Sequence, residues 1–151
     1  MLVGFTDLDW ADDPDDQKPT TGCVFSLGSG PVTWACKKQQ ALALSLAEAQ
    51  YQATVNASQE ALWLRQILSE FGFKQKQPTP LWCDNQSAIK LSKDPVLHQC
   101  SKHIELHMHL IKNLFHDRVL KMLDYPIDDQ VADIFIKPLT EAKFFKLLST
   151  L

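Results

Sequence analysis

Short apolar runs and longer apolar stripes alternate along the chain and predict its elements. Runs that are typical of strands occupy residues 2–5, 22–27, 32–36, 81–83 and 119–123. The Gly- and Pro-bearing turn at residues 28–31 makes the second and third runs a hairpin, and with the opening strand this gives a three-stranded antiparallel meander.

Helical spacing dominates the middle and the end of the chain. An apolar stripe at intervals of three and four residues predicts one long helix, and it comprises Ala53, Ala57, Ala61, Leu64, Leu68 and Phe71. Gly72 is the predicted C-cap of this helix. Further helices are predicted from residue 85 to 89 and over 101–115, 129–136 and 140–150. The order βββ-α-β-α-α-β-α-α predicts an α/β fold in which helices flank a mixed sheet.

Length and composition restrict the class of protein. The 151 residues fit a single domain, 1–151, and contain neither an internal repeat nor a convincing linker. With 45% hydrophobic and 22% charged residues, the chain has the composition of a folded globular protein. The sequence contains neither a secretory signal nor a membrane span, and four scattered cysteines are typical of reduced thiols, so we expect an intracellular protein with no membrane partner.

Net charge argues against one class of nucleic-acid-binding protein and is compatible with another. A formal charge of −3 argues against a protein that simply coats nucleic acid. A nuclease is compatible with this charge, because clustered catalytic carboxylates lower it while local lysines still meet phosphates.

Two apolar strands end in an acid, and a third acid interrupts an apolar helical turn. Asp7 and Asp84 each close an apolar run just before a polar segment. If the two strands are adjacent and parallel, both carboxylates project into one crevice at the end of the sheet. Asp133 lies within the apolar stretch 130–135. Taken alone, each acid is equally compatible with a solvated position, at a strand end or on the outer side of a helix.

The chemistry of three converging carboxylates favours a divalent cation. Carboxylates within about 4 Å of one point repel one another unless a cation neutralises them. Oxygen ligands without a His or Cys cluster select Mg²⁺ or Mn²⁺ rather than zinc. Such a site suits phosphoryl transfer with two metal ions.

Several blocks of the sequence resemble the ribonuclease H domain of Ty1/copia-type retrotransposon polyproteins. The matching blocks follow the family's order: residues 4–11 (GFTDLDWA, similar to GYSDADWA), 18–22 (KPTTG, KSTSG), 34–39 (WACKKQ, WSSKKQ), 43–51 (ALSLAEAQY, ALSSTEAEY), 83–88 (CDNQSA, CDNQSA), 101–105 (SKHIE, TKHID) and 129–138 (DQVADIFIKP, EQLADIxTKP). The resemblance covers nearly the whole chain.

The resemblance implies a ribonuclease H-like fold with a mixed five-stranded sheet flanked by helices. It also implies hydrolysis of the RNA strand of RNA/DNA hybrids with two Mg²⁺ ions, or Mn²⁺ as a substitute, beside a reverse transcriptase polymerase domain of the same polyprotein. An active element would place the protein in a cytoplasmic virus-like particle. The family's first, third and last acids fall on Asp7, Asp84 and Asp133, and its second acid, a glutamate, falls on Gln50.

Gln50 is the main departure from the family pattern. It lies three residues before Ala53 and therefore continues the sheet-facing stripe, whereas Glu48 is rotated by about 200° and cannot easily replace it. A glutamine keeps a carbonyl oxygen but loses the charge, so we expect weak metal-dependent cleavage. Two explanations are open: a diverged copy with little activity, or a substitution introduced to trap substrate. Asp12 and the pair at 46–47, which also depart from the family, favour divergence. The alternative function is a module that binds hybrid or supports the polymerase without cutting.

Other polar residues are weaker candidates for nucleic-acid binding. Lys37, Lys38 and Gln39 follow the third strand, where a phosphate contact and a solvated loop are equally compatible with the sequence. Asn85 and Gln86 either read ribose hydroxyls in the minor groove or cap a helix. His103 lies in a block that resembles the family. Together with Cys100 and His107 it has the spacing of half of a zinc site, but the sequence offers no second pair of ligands. We expect the four tryptophans in the core.

Overall fold

Five strands form one mixed sheet, as the sequence predicts. The computed structural model describes residues 1–10, 18–39, 46–84, 86, 89 and 102–151, and of residues 47 and 102–108 the backbone alone. The elements in chain order are β1 (Leu2–Asp9), β2 (Thr20–Leu27), β3 (Gly30–Lys38), α1 (Leu46–Glu70), β4 (Thr79–Cys83), α2 (Lys102–His116), β5 (Leu120–Asp124), two 3-10 helices (Ile127–Asp129 and Val131–Phe135) and α3 (Glu141–Leu148).

The strand order β3-β2-β1-β4-β5 puts β1 at the centre of the sheet. β1, β2 and β3 pair antiparallel and make the predicted meander. β4 lies parallel to β1, and β5 lies parallel to β4, because both are reached by crossover connections. The central position of β1 explains why its side chains meet helices on both faces.

The two faces of the sheet carry different helices. α1 covers β1 and β2, and its small residues Ala57 and Ala61 pack with Phe25 and Leu81 in the main core cluster. A Cβ added at Gly4 would collide with Phe25 and would lie 2.6 Å from Leu81 Cδ2, so this position of β1 requires glycine. On the other face, the second 3-10 helix and α3 pack over β2.

The helix predicted over 129–136 is instead two short 3-10 helices. Gln130 separates them with an extended backbone (φ −67°, ψ 102°), and its side chain is fully buried. The Gln130 amide donates to Thr6 O of β1 (3.3 Å), and its Oε1 accepts from Ala132 N–H (3.4 Å). The long-range hydrogen bond to Thr6 and the local one to Ala132 satisfy the buried Gln130 side chain in this extended conformation, so tertiary contact overrides the helical pattern.

The long helix ends as predicted, but the last residue of the predicted apolar stripe is exposed. Gly72 adopts φ +86°, and Phe73 N–H donates to Leu68 O (2.7 Å), which is the glycine-capped helix end. Phe71, assigned to the buried stripe, is 75% exposed because the final turn of α1 extends past the sheet.

The prediction that all four tryptophans lie in the core is wrong. Trp34 and Trp63 are 60% and 55% exposed, Trp10 is exposed as well, and Trp82 is partly buried. Trp34 lies on the edge strand β3, where its main cover is Phe135 of the second 3-10 helix, on which it stacks with ring centroids 6.2 Å apart.

Two further features of the described residues concern the cysteines and the apolar character of the helices. Within the described ranges Cys23, Cys36 and Cys83 form no disulfide, and Cys36 alone among these three is exposed. No described helix combines the length and the apolar character that crossing a bilayer requires.

Candidate active site

The parallel pairing of β1 with β4 brings the first two predicted acids to the same end of the sheet. Gly4 is opposite Leu81 and Phe5 opposite Trp82, so three residues further along each strand Asp7 comes level with Asp84. Asp7 is buried, and Asp84 directly follows the last residue of β4 and is half-buried. A small cleft forms between them, lined by Thr6, Asp7, Leu8, Gln50, Ala53, Thr54, Cys83 and Asp84.

Gln50 reaches this cleft from α1. The helix approaches β1 closely because Ala49 and Ala53 are small and pack against Leu8. The backbone carbonyl of Gln50 accepts a hydrogen bond from Thr54 Oγ1 (3.0 Å), one turn further along the helix. Glu48, two residues earlier, does not line the cleft. The family's glutamate position therefore faces Asp7 and Asp84 with an uncharged amide.

Asp133 approaches Asp7 from the opposite face of the sheet. It lies in the second 3-10 helix, its side chain is 1% exposed, and the ammonium group of Lys137 joins its carboxyl group to that of Asp7. Gln130, which bonds to the backbone of Thr6 next to Asp7, ties this 3-10 helix to β1. One buried side chain thus fixes the spacing of two acids from opposite ends of the chain.

Two lysines neutralise the buried acids. Lys137 Nζ contacts Asp7 Oδ2 and lies 2.8 Å from Asp133 Oδ1, so its ammonium group bridges the two carboxyl groups. Lys143 Nζ of α3 lies 2.8 Å from Asp133 Oδ2. Asp133 Oδ1 is buried, and the ammonium group of Lys137 at 2.8 Å is its charged partner.

These contacts set the ionisation of the site. Burial, the hydrogen bond with Asp133 and the nearby charge of Asp84 raise the pKa of Asp7 to about 8, and Lys137 opposes this only in part. Burial acts on Asp133 in the same direction but is outweighed by hydrogen bonds from Asp7, Lys137 and Lys143, so the pKa of Asp133 is lowered. Although burial disfavours its charge, the two carboxyl groups raise the pKa of Lys137.

The three acids form two overlapping pairs rather than one cluster. Asp7 shares the cleft with Asp84, and Lys137 bridges Asp7 to Asp133. Among the residues that the structure describes, no three His, Cys, Asp or Glu side chains form a group able to hold a metal ion without rearrangement. Lys137 occupies the position between Asp7 and Asp133.

The weaker nucleic-acid candidates are scattered around this site. Lys37 and Lys38 are exposed at the end of β3, and Gln86 is exposed beyond Asp84. Gln39, by contrast, is buried, and its amide donates to Ala49 O (2.9 Å), so it joins the end of β3 to α1 and is not available to a phosphate. Two candidates cannot be placed: Asn85 and the side chain of His103 lie outside the described residues.

Sequence reasoning did not assign roles to Lys137, Lys143 and Gln130. A signal existed for Gln130 and Lys137, which both lie in the block 129–138 that resembles the family, and Lys137 follows Asp133 by four residues. Lys143 lies outside that block and gave no such signal, because its contact depends on how α3 packs against the sheet.

Comparisons with known proteins identify related sequences and the fold. No family model matches this sequence. The chain is 37% identical over 143 residues to a retrovirus-related Pol polyprotein from transposon RE2 of Arabidopsis thaliana, which covers 95% of this chain and 10% of that protein. It is 38% identical over 144 residues to the corresponding polyprotein from transposon TNT 1-94 of Nicotiana tabacum. This match covers 95% of the present chain and 11% of the polyprotein. The chain thus spans about a tenth of the length of these relatives.

Solved structures agree on the architecture. The chain superposes on LC11-RNase H1, solved in complex with an RNA/DNA hybrid, with a TM-score of 0.63 at 14% identity, covering 90% of this chain and 94% of that one. At this identity the likeness establishes the fold, and the sequence relatives supply the family. The chain is therefore a homologue of one segment of the Pol polyproteins of copia-type retrotransposons, and its fold is that of ribonuclease H.

Proposed function

We propose that the chain is a divalent-metal-dependent ribonuclease H that hydrolyses the RNA strand of RNA/DNA hybrids, and that Gln50 lowers its activity. The observation that carries the proposal is the position of Asp7, which shares a cleft with Asp84 and Gln50 on one side and is bridged to Asp133 by Lys137 on the other. The ribonuclease H fold and the Pol relatives support this assignment.

The residues at the site fit Mg²⁺ or Mn²⁺. All the candidate donors are oxygen atoms, from the carboxylates of Asp7, Asp84 and Asp133 and from the amide of Gln50. Asp133 Oδ1 is buried and already contacts one cation, the ammonium group of Lys137 at 2.8 Å, as expected of an atom suited to a cation. Bound metal would lower the pKa of an attacking water and stabilise the leaving oxygen of the phosphodiester.

The protein's own residues supply position and recognition. Asp7 lies on the central strand, which holds it rigidly, and Lys143 orients Asp133 from α3. Lys37 and Lys38 are exposed and suited to phosphate contacts, which fix the register of a bound duplex without reading its sequence. Gln86, exposed beyond Asp84, is suited to the ribose hydroxyls in the minor groove that distinguish RNA from DNA.

Gln50 weakens metal binding because it offers one neutral oxygen where a glutamate offers a charged carboxylate. Replacing it by Glu adds a negative charge to the cleft that Asp7 and Asp84 already line. Metal affinity then rises, and with it the fraction of protein that is competent for hydrolysis at a given Mg²⁺ concentration.

The test compares cleavage of a hybrid with labelled RNA at several Mg²⁺ and Mn²⁺ concentrations. We expect Gln50→Glu to raise the cleavage rate about tenfold or more, in the range typical of changes at metal-site residues. Gln52→Glu adds the same charge to α1 two residues away and should leave the rate unchanged. Asp84→Asn should abolish cleavage. Wild-type protein that already cleaves as fast as the Gln50→Glu variant would contradict the role of Gln50, and cleavage that survives Asp84→Asn would contradict the site.

A second candidate function is a non-catalytic module that binds hybrid or supports a neighbouring polymerase domain of the same polyprotein. The uncharged Gln50 favours it, and the Pol relatives provide the context for such a partner. Hybrid binding without cleavage, in both the wild type and the Gln50→Glu variant, would establish this alternative.

A further inference from the structure

The ammonium group of Lys137 lies where a cation shared by Asp7 and Asp133 would lie. Its Nζ contacts Asp7 Oδ2 and is 2.8 Å from Asp133 Oδ1, while the two acids are only 6% and 1% exposed. A lysine that ends between two buried carboxyl groups places one positive charge beside both of them. A divalent ion that joined the same two acids would need the same space.

We propose that Lys137 replaces one of the two divalent ions in this chain, so that the wild-type protein binds a single divalent ion, at Asp7 and Asp84. The inference rests on the proposed metal-dependent function and goes beyond it, because it assigns a lysine to the second cation position. Lys137 is in this sense a positioning residue: it holds Asp7 and Asp133 together and excludes a second ion from them.

Charge at the site supports a single ion. With all carboxyl groups ionised, Asp7, Asp84 and Asp133 carry three negative charges, and Lys137 and Lys143 return two positive ones. One divalent ion already exceeds the remaining negative charge. A glutamate at position 50 would add one more negative charge and favour a second ion, but this chain has Gln50.

The backbone holds Lys137 in this position before any ion binds. Lys137 N–H donates to Asp133 O (2.9 Å), so the lysine is fixed one turn after the acid that it neutralises. Pro138 follows directly and restricts the backbone conformation of Lys137. Lys143 differs, because it belongs to α3 and pairs with Asp133 alone, through the other oxygen, Oδ2.

The difference between the two lysines provides a matched control. Lys137→Met and Lys143→Met each remove one positive charge that contacts Asp133. Only Lys137→Met also removes the bridge to Asp7. A purely electrostatic effect would be shared by both variants. An effect of the bridging position would appear in Lys137→Met alone.

The experiment counts bound Mn²⁺ at neutral pH by calorimetry and by the electron paramagnetic resonance signal of the free ion. We expect one ion in the wild type, one in Lys143→Met and two in Lys137→Met, with circular dichroism to verify that each variant is folded. Two ions in the wild type, one ion in folded Lys137→Met, or two ions in both variants would each overturn the proposal.

A measurement on the wild type alone keeps the proposal testable if Lys137→Met does not fold. Acylation of lysine side chains, read by mass spectrometry, reports whether the Lys137 ammonium remains shielded. We expect it to react equally slowly with and without saturating Mn²⁺. A strong increase in its reactivity with Mn²⁺ would show that the ion displaces the lysine and would overturn the proposal. Absence of Mn²⁺ binding to any of the proteins would overturn the metal-dependent function as well, whereas two ions in the wild type would overturn only the role of Lys137.

Discussion

Replacing Asp133 by Asn tests how strongly the buried ion pairs stabilise the fold. Asp133 is 1% exposed, and two ammonium groups lie 2.8 Å from its oxygens. Removing one member of a buried ion pair typically costs about 3–5 kcal/mol, because the remaining charge stays desolvated. The lysine side chains are 26% and 30% exposed and gain some solvation by turning outwards, so we expect the lower end of the range, about 3 kcal/mol.

The assay is thermal and urea unfolding of the metal-free protein at neutral pH. For a chain of 151 residues, an unfolding entropy of about 2.1 cal/mol/K per residue converts about 3 kcal/mol into a fall in Tm of about 9 °C. The urea midpoint should fall accordingly, with an unchanged m-value, because the same surface is exposed on unfolding.

Asp129→Asn is the matched control. Asp129 pairs with Lys146 at 2.6 Å, as short a contact as those of Asp133, but the two side chains are 44% and 56% exposed. Solvent screens such a pair, so this variant should unfold at the wild-type temperature within error. Equal losses in the two variants would refute the reasoning, since burial would then not decide the strength of these ion pairs.

Two further predictions concern pH and packing. The folded pKa of Asp7, about 8, lies far above the unfolded value, so the unfolded chain loses this proton first and the metal-free protein should lose stability as pH rises from about 4 to about 8. Asp7→Asn should remove that slope in urea unfolding at a series of pH values; a slope that persists would assign it to other groups. Gly22→Ala would place a Cβ 2.6 Å from Ile136 Cγ2, just beyond the 3-10 helix that carries Asp133, and overpacking of this kind costs about 1–3 kcal/mol. Unchanged unfolding of Gly22→Ala would show that Ile136 moves aside freely.

The strands and the first pair of acids were predictable because both depend on local patterns. Apolar runs that end in acid mark Asp7 and Asp84, and the two conditions left open, that their strands are adjacent and parallel, are met by the pairing of β1 with β4. The apolar stripe of α1 likewise predicted the sheet-facing side on which Gln50 lies, and Gln50 lines the cleft.

The C-terminal third of the site was not predictable, because tertiary contacts decide it. The helical pattern of residues 129–136 gives way to 3-10 turns since the Gln130 side chain bonds to Thr6, 124 residues away in sequence. Nor does the sequence show that Trp34 lies on an edge strand: an aromatic residue in a strand pattern predicts burial, and only the strand order shows that no strand lies beyond β3 in the described sheet.

The Gln130 hydrogen bond also bears on the time at which the site is assembled. Asp7 lies on the first strand and Asp133 close to the end, so the chain must close a loop of more than a hundred residues before the two carboxyl groups meet. During synthesis, which proceeds at about 5–20 residues per second, the first strand therefore waits several seconds for Gln130, Asp133 and Lys137 to emerge. The residues that build the site come from both ends of the sequence. The site can therefore assemble only after nearly the whole segment has been translated.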